Sequence, residues 1–256
     1  MILLTIPYET FRLLNFTWMG TGLLTFVVLL KINAPYGRFS TASWGTLIDN
    51  RLAWFLMEAP VLLIVSAYVF LNHKGLSVPV MIMTLLFCAH YIHRSFIFPW
   101  RLHTAGKKMP MVIMGSAILF NIINGTLIGY YFRNFAQYDV SWLHDKRFII
   151  GLLIFLTGMY INISSDNILI NLRKEGGSGY RIPFGFLFKQ VSCPNHFGEM
   201  LEWLGFAVLC WNLPAWSFFI WTVANLLPRS LAHHRWYREK FNDYPASRKA
   251  VLPFLV

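Results

Sequence analysis

Long apolar runs joined by short polar links fill most of this chain, and that pattern leaves few folds open. A membrane-spanning helix needs roughly 20 mostly apolar residues. Runs of this kind fall near 13–31, 52–71, 79–98, 110–132, 147–170, 200–212 and 214–231. Backbone polar groups in hydrocarbon must be satisfied inside their own segment, so each run is expected as a helix. The last two are parted by Pro214 within "LCWNLPAW". Together they cover about 30 residues, too many for one span, so two helices are expected there. The reading is an all-α polytopic membrane protein with seven transmembrane helices, forming a single domain over residues 1–256.

Composition agrees. Charged residues make up 13% of the 256 and mean hydropathy is +0.51, whereas a soluble domain carries about 25% charged residues. Most of the surface is expected to face lipid. The N-terminus lacks a basic stretch, apolar core and small-residue cleavage site, so the first span is expected to stay. Cys88, Cys193 and Cys210 form no CxxC spacing. A disulfide and a zinc site are therefore not expected.

An odd number of spans puts the two ends on opposite sides. With the N-terminus outside and the C-terminus cytoplasmic, 17 of the 22 Lys and Arg residues fall on the inner side. That is the positive-inside bias. Anionic lipid at the cytoplasmic face accounts for much of the net charge of +11, and a polyanionic ligand on that face is the sharper alternative. Nucleic acid is not expected, because no basic domain or recognition motif stands outside the membrane.

The fifth run ends in "NISSDNILINLRKEGGSGYRIP", residues 162–183. At about 100° per helical residue, Asn162, Asp166 and Arg173 fall within roughly 40° of one another. A polar stripe at that depth belongs against a neighbouring helix or a wet cavity. "GGSG" at 176–179 frees the backbone but is not GxGxxG and follows no strand. Arg173 and Arg181 flank it and could clamp phosphates, and Tyr180 could stack on a flat ring.

Two further clusters lie on the same side. In "PNHFGEMLEW", Asn195, Glu199 and Glu202 share a helical face within about 60°. They could stabilise a helix start or hold a carboxamide or ribose. In "AHHRWYREKFNDYP", His233, His234, Arg235, Tyr237 and Tyr244 serve either as a lipid-facing anchor or as ligand contacts.

Glu58 sits inside the second run, and the third carries "CAHYIHRSF" with His90, Tyr91, His93 and Arg94. A carboxyl that orients a phenol makes a hydrogen-bond donor able to polarise a ligand carbonyl. A structural Glu–Tyr or Glu–Arg bond is the plain alternative. The histidines are too scattered for a di-iron centre, so no metal is expected.

From about residue 34 onward the chain resembles the steroid 5α-reductase family. The resemblance is carried in order by "APYGR", "AWFLMEAP", "HYIHRSFIFP", "GMYINISSDNIL", "GYRIPFGFLF", "VSCPNHFGEMLEWLGFA" and "HHRWYREKFNDYPASRKAVLPFLV". It implies a seven-helix membrane body with NADPH in a cavity open to the cytoplasm. The implied reaction is hydride transfer to C5 of a Δ4-3-ketosteroid, with a proton delivered to C4. By the same resemblance Glu58 and Tyr91 bind and polarise the 3-oxo group. Asn162, Asp166, Arg173, Tyr180, Arg181, Asn195, Glu199, His233 and Tyr237 line the cofactor, joined by Tyr36, Arg94 and Lys107.

A monomer is expected, with a steroid-like lipid as substrate, in the endoplasmic reticulum if eukaryotic or the inner membrane if bacterial. The alternative is a related membrane reductase of another sterol, polyprenol or enoyl-lipid double bond. A methyltransferase using S-adenosylmethionine and a small transporter are the remaining rivals. No internal repeat supports the transporter.

Overall fold

The computed structural model describes residues 5–35, 37–40, 42–71, 75–102, 106–174 and 180–255, with the backbone alone at 42, 173 and 174. Among the described residues seven long helices run in chain order. They are α1 (Tyr8–Lys31), α2 (Asn50–Phe70), α3 (Val78–Arg101), α4 (Met111–Asn134), α5 (Lys146–Lys174), α6 (Pro194–Cys210) and α7 (Leu213–Lys240). By length and composition α1 to α4 and the Lys146–Leu172 stretch of α5 can each cross a membrane. Their apolar side chains point outward: Leu13, Leu14, Leu23 and Leu24 of α1 are exposed, while its Asn15 is buried. Apolar outside and polar inside is the arrangement that lipid as solvent demands.

The α6–α7 break is a true turn. Trp211 adopts a left-handed conformation (φ 47°, ψ 43°), and the Asn212 side chain accepts the Ala215 amide at 3.0 Å to cap α7. Pro214 lies in the first turn of α7, where its missing N–H costs nothing. Tyr138 and Trp142 donate to the Cys210 and Leu209 carbonyls, which α6 itself leaves unsatisfied. α6 starts at Pro194 rather than near 200, because its first turns are polar yet buried. α7 continues to Lys240 through the charged "HHRWYREK".

Lipid tails are as apolar as leucine, so these helices associate through close packing rather than through exclusion of water. Gly151 and Gly158 of α5 face Gly205 and Gly198 of α6, and a Cβ at any of the four would collide with the opposing backbone. The two helices meet backbone to backbone. On α4, Gly125 and Gly129 leave room for α2 side chains, Gly125 for Val61 and Gly129 for Tyr68.

At one end of the bundle the loops are fastened together. β1 (Leu47–Asp49) pairs antiparallel with β2 (Lys108–Pro110), Leu47 opposite Pro110. The C-terminal segment is pinned beside the start of α6: the Ser192 and Cys193 amides donate to the Lys249 and Ala250 carbonyls. The Ser192 hydroxyl lies 2.6 Å from both the His234 ring and the Tyr244 phenol.

Candidate active site

A cavity of ≈ 880 Å³ lies within the bundle, with the loop end as one boundary and Trp18, Phe120, Phe218 and Trp221 among its walls. Its size suits a small-molecule site. Glu58 and Tyr91 both line it, as do Arg94, Lys107, Asp166 and Tyr180. Asn195, Glu199, His233 and Tyr237 complete the expected residues on its wall.

Glu58 projects from the third turn of α2. Its carboxylate accepts from the Asn121 amide at 3.5 Å, and the same amide nitrogen donates to the Met57 carbonyl at 2.7 Å. Tyr91 is fixed by aromatic neighbours, with ring centroids 4.8 Å from Phe87 and 5.9 Å from Trp203. Beside it His90 Nδ1 lies 2.8 Å from Glu202 Oε1. Glu202 is thereby committed to α3 within the bundle.

Arg94 falls in a π-helical turn, His93–Ile97, within α3. Such turns are frequent at functional sites. Its guanidinium lies over Trp54 and Phe98, at 4.8 and 4.6 Å from the ring centres, and donates to Asp166 at 3.4 Å. Asn195 donates to the other Asp166 oxygen at 3.2 Å. The amide of Asn162 reaches the Asn195 carbonyl at 3.0 Å and Glu199 at 3.3 Å. Asn162 therefore stands behind the cavity wall and holds two residues that form it.

At the loop end a cationic rim forms around aromatic rings. Arg38 lies 4.3 Å from the Trp236 ring centre, 4.4 Å from Tyr237 and 5.1 Å from Tyr180, and donates to the Tyr237 hydroxyl at 3.1 Å. Lys107 lies 5.0 Å from the Tyr180 ring centre. His233 stacks on Phe39 at 5.4 Å. Burial pushes the Cys193 thiol up to about 12, so this wall residue is a thiol, not a nucleophile.

Arg181 is exposed and does not line the cavity. Tyr36, the Arg173 side chain and the "GGSG" loop lie outside the described residues. Sequence reasoning passed over Arg38, Arg229 and Asn121, all on the wall. Arg38 ends the quoted "APYGR", where the sequence alone shows it as one of the inner-side positive charges. Asn121 stands one turn before Gly125–Gly129, a small-residue spacing that marks a close helix contact.

A family model described as 3-oxo-5-alpha-steroid 4-dehydrogenase matches residues 107–256. The chain is similar to Steroid 5-alpha-reductase DET2 of Arabidopsis thaliana, 40% identical over 255 residues and covering 96% of each chain. It is 42% identical over 247 residues to the protein of the same name in Gossypium hirsutum, covering 91% of this chain and 93% of that one. To 3-oxo-5-alpha-steroid 4-dehydrogenase 1 of Homo sapiens it is 39% identical over 239 residues, covering 92% of each.

Proposed function

Because this chain belongs to the 3-oxo-5-alpha-steroid 4-dehydrogenase family, membrane oxidoreductases acting on CH–CH groups, we propose that it reduces the Δ4 double bond of 3-oxo-Δ4-steroids with NADPH, giving 5α-reduced 3-oxosteroids. The observation that carries this reading is one cavity lined both by an acid and a phenol, Glu58 and Tyr91, and by a polar wall of Arg94, Asp166, Asn195 and Glu199.

The residues present fit a dinucleotide phosphate. Arg38 Nη1 and His233 Nδ1 are buried without a partner, and both side chains line the cavity. An anionic, hydrogen-bonding ligand would satisfy them, since buried polar groups otherwise cost stability. Lys107, Tyr180 and Tyr237 would take the adenosine phosphates, with Tyr36, Arg173 and Arg181 completing the loop side. Arg94, Asp166, Asn195 and Glu199, with Asn162 behind them, would hold the ribose and carboxamide. When bound, reduced NADPH supplies a hydride for C5 of the enone.

The chain's own part is polarisation. The Tyr91 phenol donates to the 3-oxo oxygen and stabilises negative charge there as C5 gains electrons. Glu58 orients that phenol. Apolar walls at Trp18, Phe120 and Trp221 exclude water, and the dry surroundings strengthen the hydrogen bond. A proton reaching C4 completes addition of two hydrogens across the double bond.

The same reading takes all seven helices as spans of a single domain over residues 1–256, N-terminus outside and C-terminus cytoplasmic. The protein is then a monomer in the endoplasmic reticulum or the bacterial inner membrane, drawing its steroid from lipid. The test is anaerobic incubation of purified protein with NADPH and progesterone, the product read by mass spectrometry and NMR. A 5α-reduced 3-ketone is expected. Unchanged steroid, or reduction at C3 alone, would contradict the proposal.

A further inference from the structure

Resting on that reading of Glu58 and Tyr91, we infer that Asn121 is a positioning residue that fixes the Glu58 carboxylate for its work on Tyr91. α4 places the side chain by its backbone pattern. Asn121, Gly125 and Gly129 recur every fourth residue and share one face. Gly125 and Gly129 bring that face against Val61 and Tyr68 of α2. Asn121, one turn earlier, thereby reaches the turn of α2 that carries the acid.

That turn needs an external tie. Pro60 lies inside α2 and has no N–H to give the Leu56 carbonyl, which weakens the helical ladder around Glu58. The Asn121 nitrogen has two hydrogens and uses both here, on the Met57 carbonyl at 2.7 Å and on Glu58 Oε2 at 3.5 Å. One amide thus fixes the backbone before the acid and the oxygen at its tip. Asn121 is 4% exposed, and its Oδ1 is buried without a partner. A side chain kept only for packing would have no reason to bear that cost, since leucine has nearly the same shape without a buried acceptor.

A double-mutant cycle tests this. Turnover of progesterone, NADPH affinity and Tm are measured for the wild type, Asn121→Leu, Glu58→Gln and the pair. Asn121→Leu is expected to lower kcat roughly 10-fold through loss of one hydrogen bond to a charged group, with NADPH affinity and Tm close to wild type. In the Glu58→Gln background the same change is expected to cost less than about 2-fold, because coupled residues are not additive. Losses that multiply, or an unchanged kcat in Asn121→Leu, overturn the inference. Should Asn121→Leu fail to fold, Asn121→Ala removes the donor without adding a charge beside Glu58 and carries the same cycle. Failure of the proposed activity itself is read separately, on the wild type alone.

Discussion

The Arg94 guanidinium and the Asp166 carboxylate meet at 3.4 Å inside the bundle, their side chains 10% and 6% exposed. Neither charge could stand alone there. Removing one partner of a buried pair leaves an uncompensated charge and costs about 3–5 kcal/mol, whereas replacing both by apolar groups is often tolerated. Asp166→Ala is therefore expected to lower Tm in detergent more than the double change Arg94→Met with Asp166→Leu. Thermal unfolding followed by intrinsic tryptophan fluorescence measures both. A milder effect of the single change would mean that Arg94 is compensated elsewhere.

Tyr91→Phe removes one hydroxyl and leaves the ring packed on Phe87 and Trp203. Loss of an oxyanion-type donor typically costs about 10²–10³ in kcat. Steroid turnover is expected to fall by that order while NADPH affinity stays within about 2-fold, since no phosphate contact is touched. Equal losses in both quantities would assign Tyr91 to the cofactor instead.

Arg38 is the rim cation with a buried unpartnered nitrogen. Arg38→Met keeps much of its contact with Trp236 and Tyr237 while removing charge. NADPH affinity is expected to drop roughly 10-fold, as for loss of a charged hydrogen bond, with NADH affected far less. Arg101→Met is the comparison, at an exposed position off the cavity wall. Isothermal titration with each nucleotide separates the two, and an equal drop for NADPH and NADH would assign Arg38 to a group that both nucleotides carry rather than to the 2′-phosphate of NADPH alone.

Gly158→Ala sets a methyl group into the α6 backbone, whereas Gly115→Ala meets nothing within 4 Å. Overpacking costs typically about 1–3 kcal/mol and more when backbone must move. The first variant is expected to lose Tm and cofactor affinity together, because Asn162 and Asn195 lose their spacing. The second is expected to hold or gain a little stability.

How much of this could be read from the residues differs from place to place. Length and apolarity located α1 to α5, because lipid imposes both. The polar first turns of α6 hid its start, since His196 is buried against Ser230 of α7 rather than against lipid. The "GTLIG" spacing at 125–129 and the glycines at 151, 158, 198 and 205 were legible as small residues, but their partners lie in distant segments. The sequence makes Tyr180 and Arg181 together candidate ligand contacts. Tyr180 lines the cavity, whereas the Arg181 side chain is exposed. The strand pair 47–49 with 108–110 is too short to show a period. Arg38 stands in "APYGR", but only its contact with Tyr237 in the folded chain reveals its place on the rim.

The most direct measurement transfers a label. Purified protein is incubated anaerobically with progesterone and NADPH deuterated at C4 of the nicotinamide, and the steroid is examined by NMR. Deuterium from one of the two nicotinamide faces, bound at C5 on the α side, is the expected result. Deuterium at C3 or C4, or a reduced steroid without deuterium from either face, would show that no reduced nicotinamide is held against this enone as described.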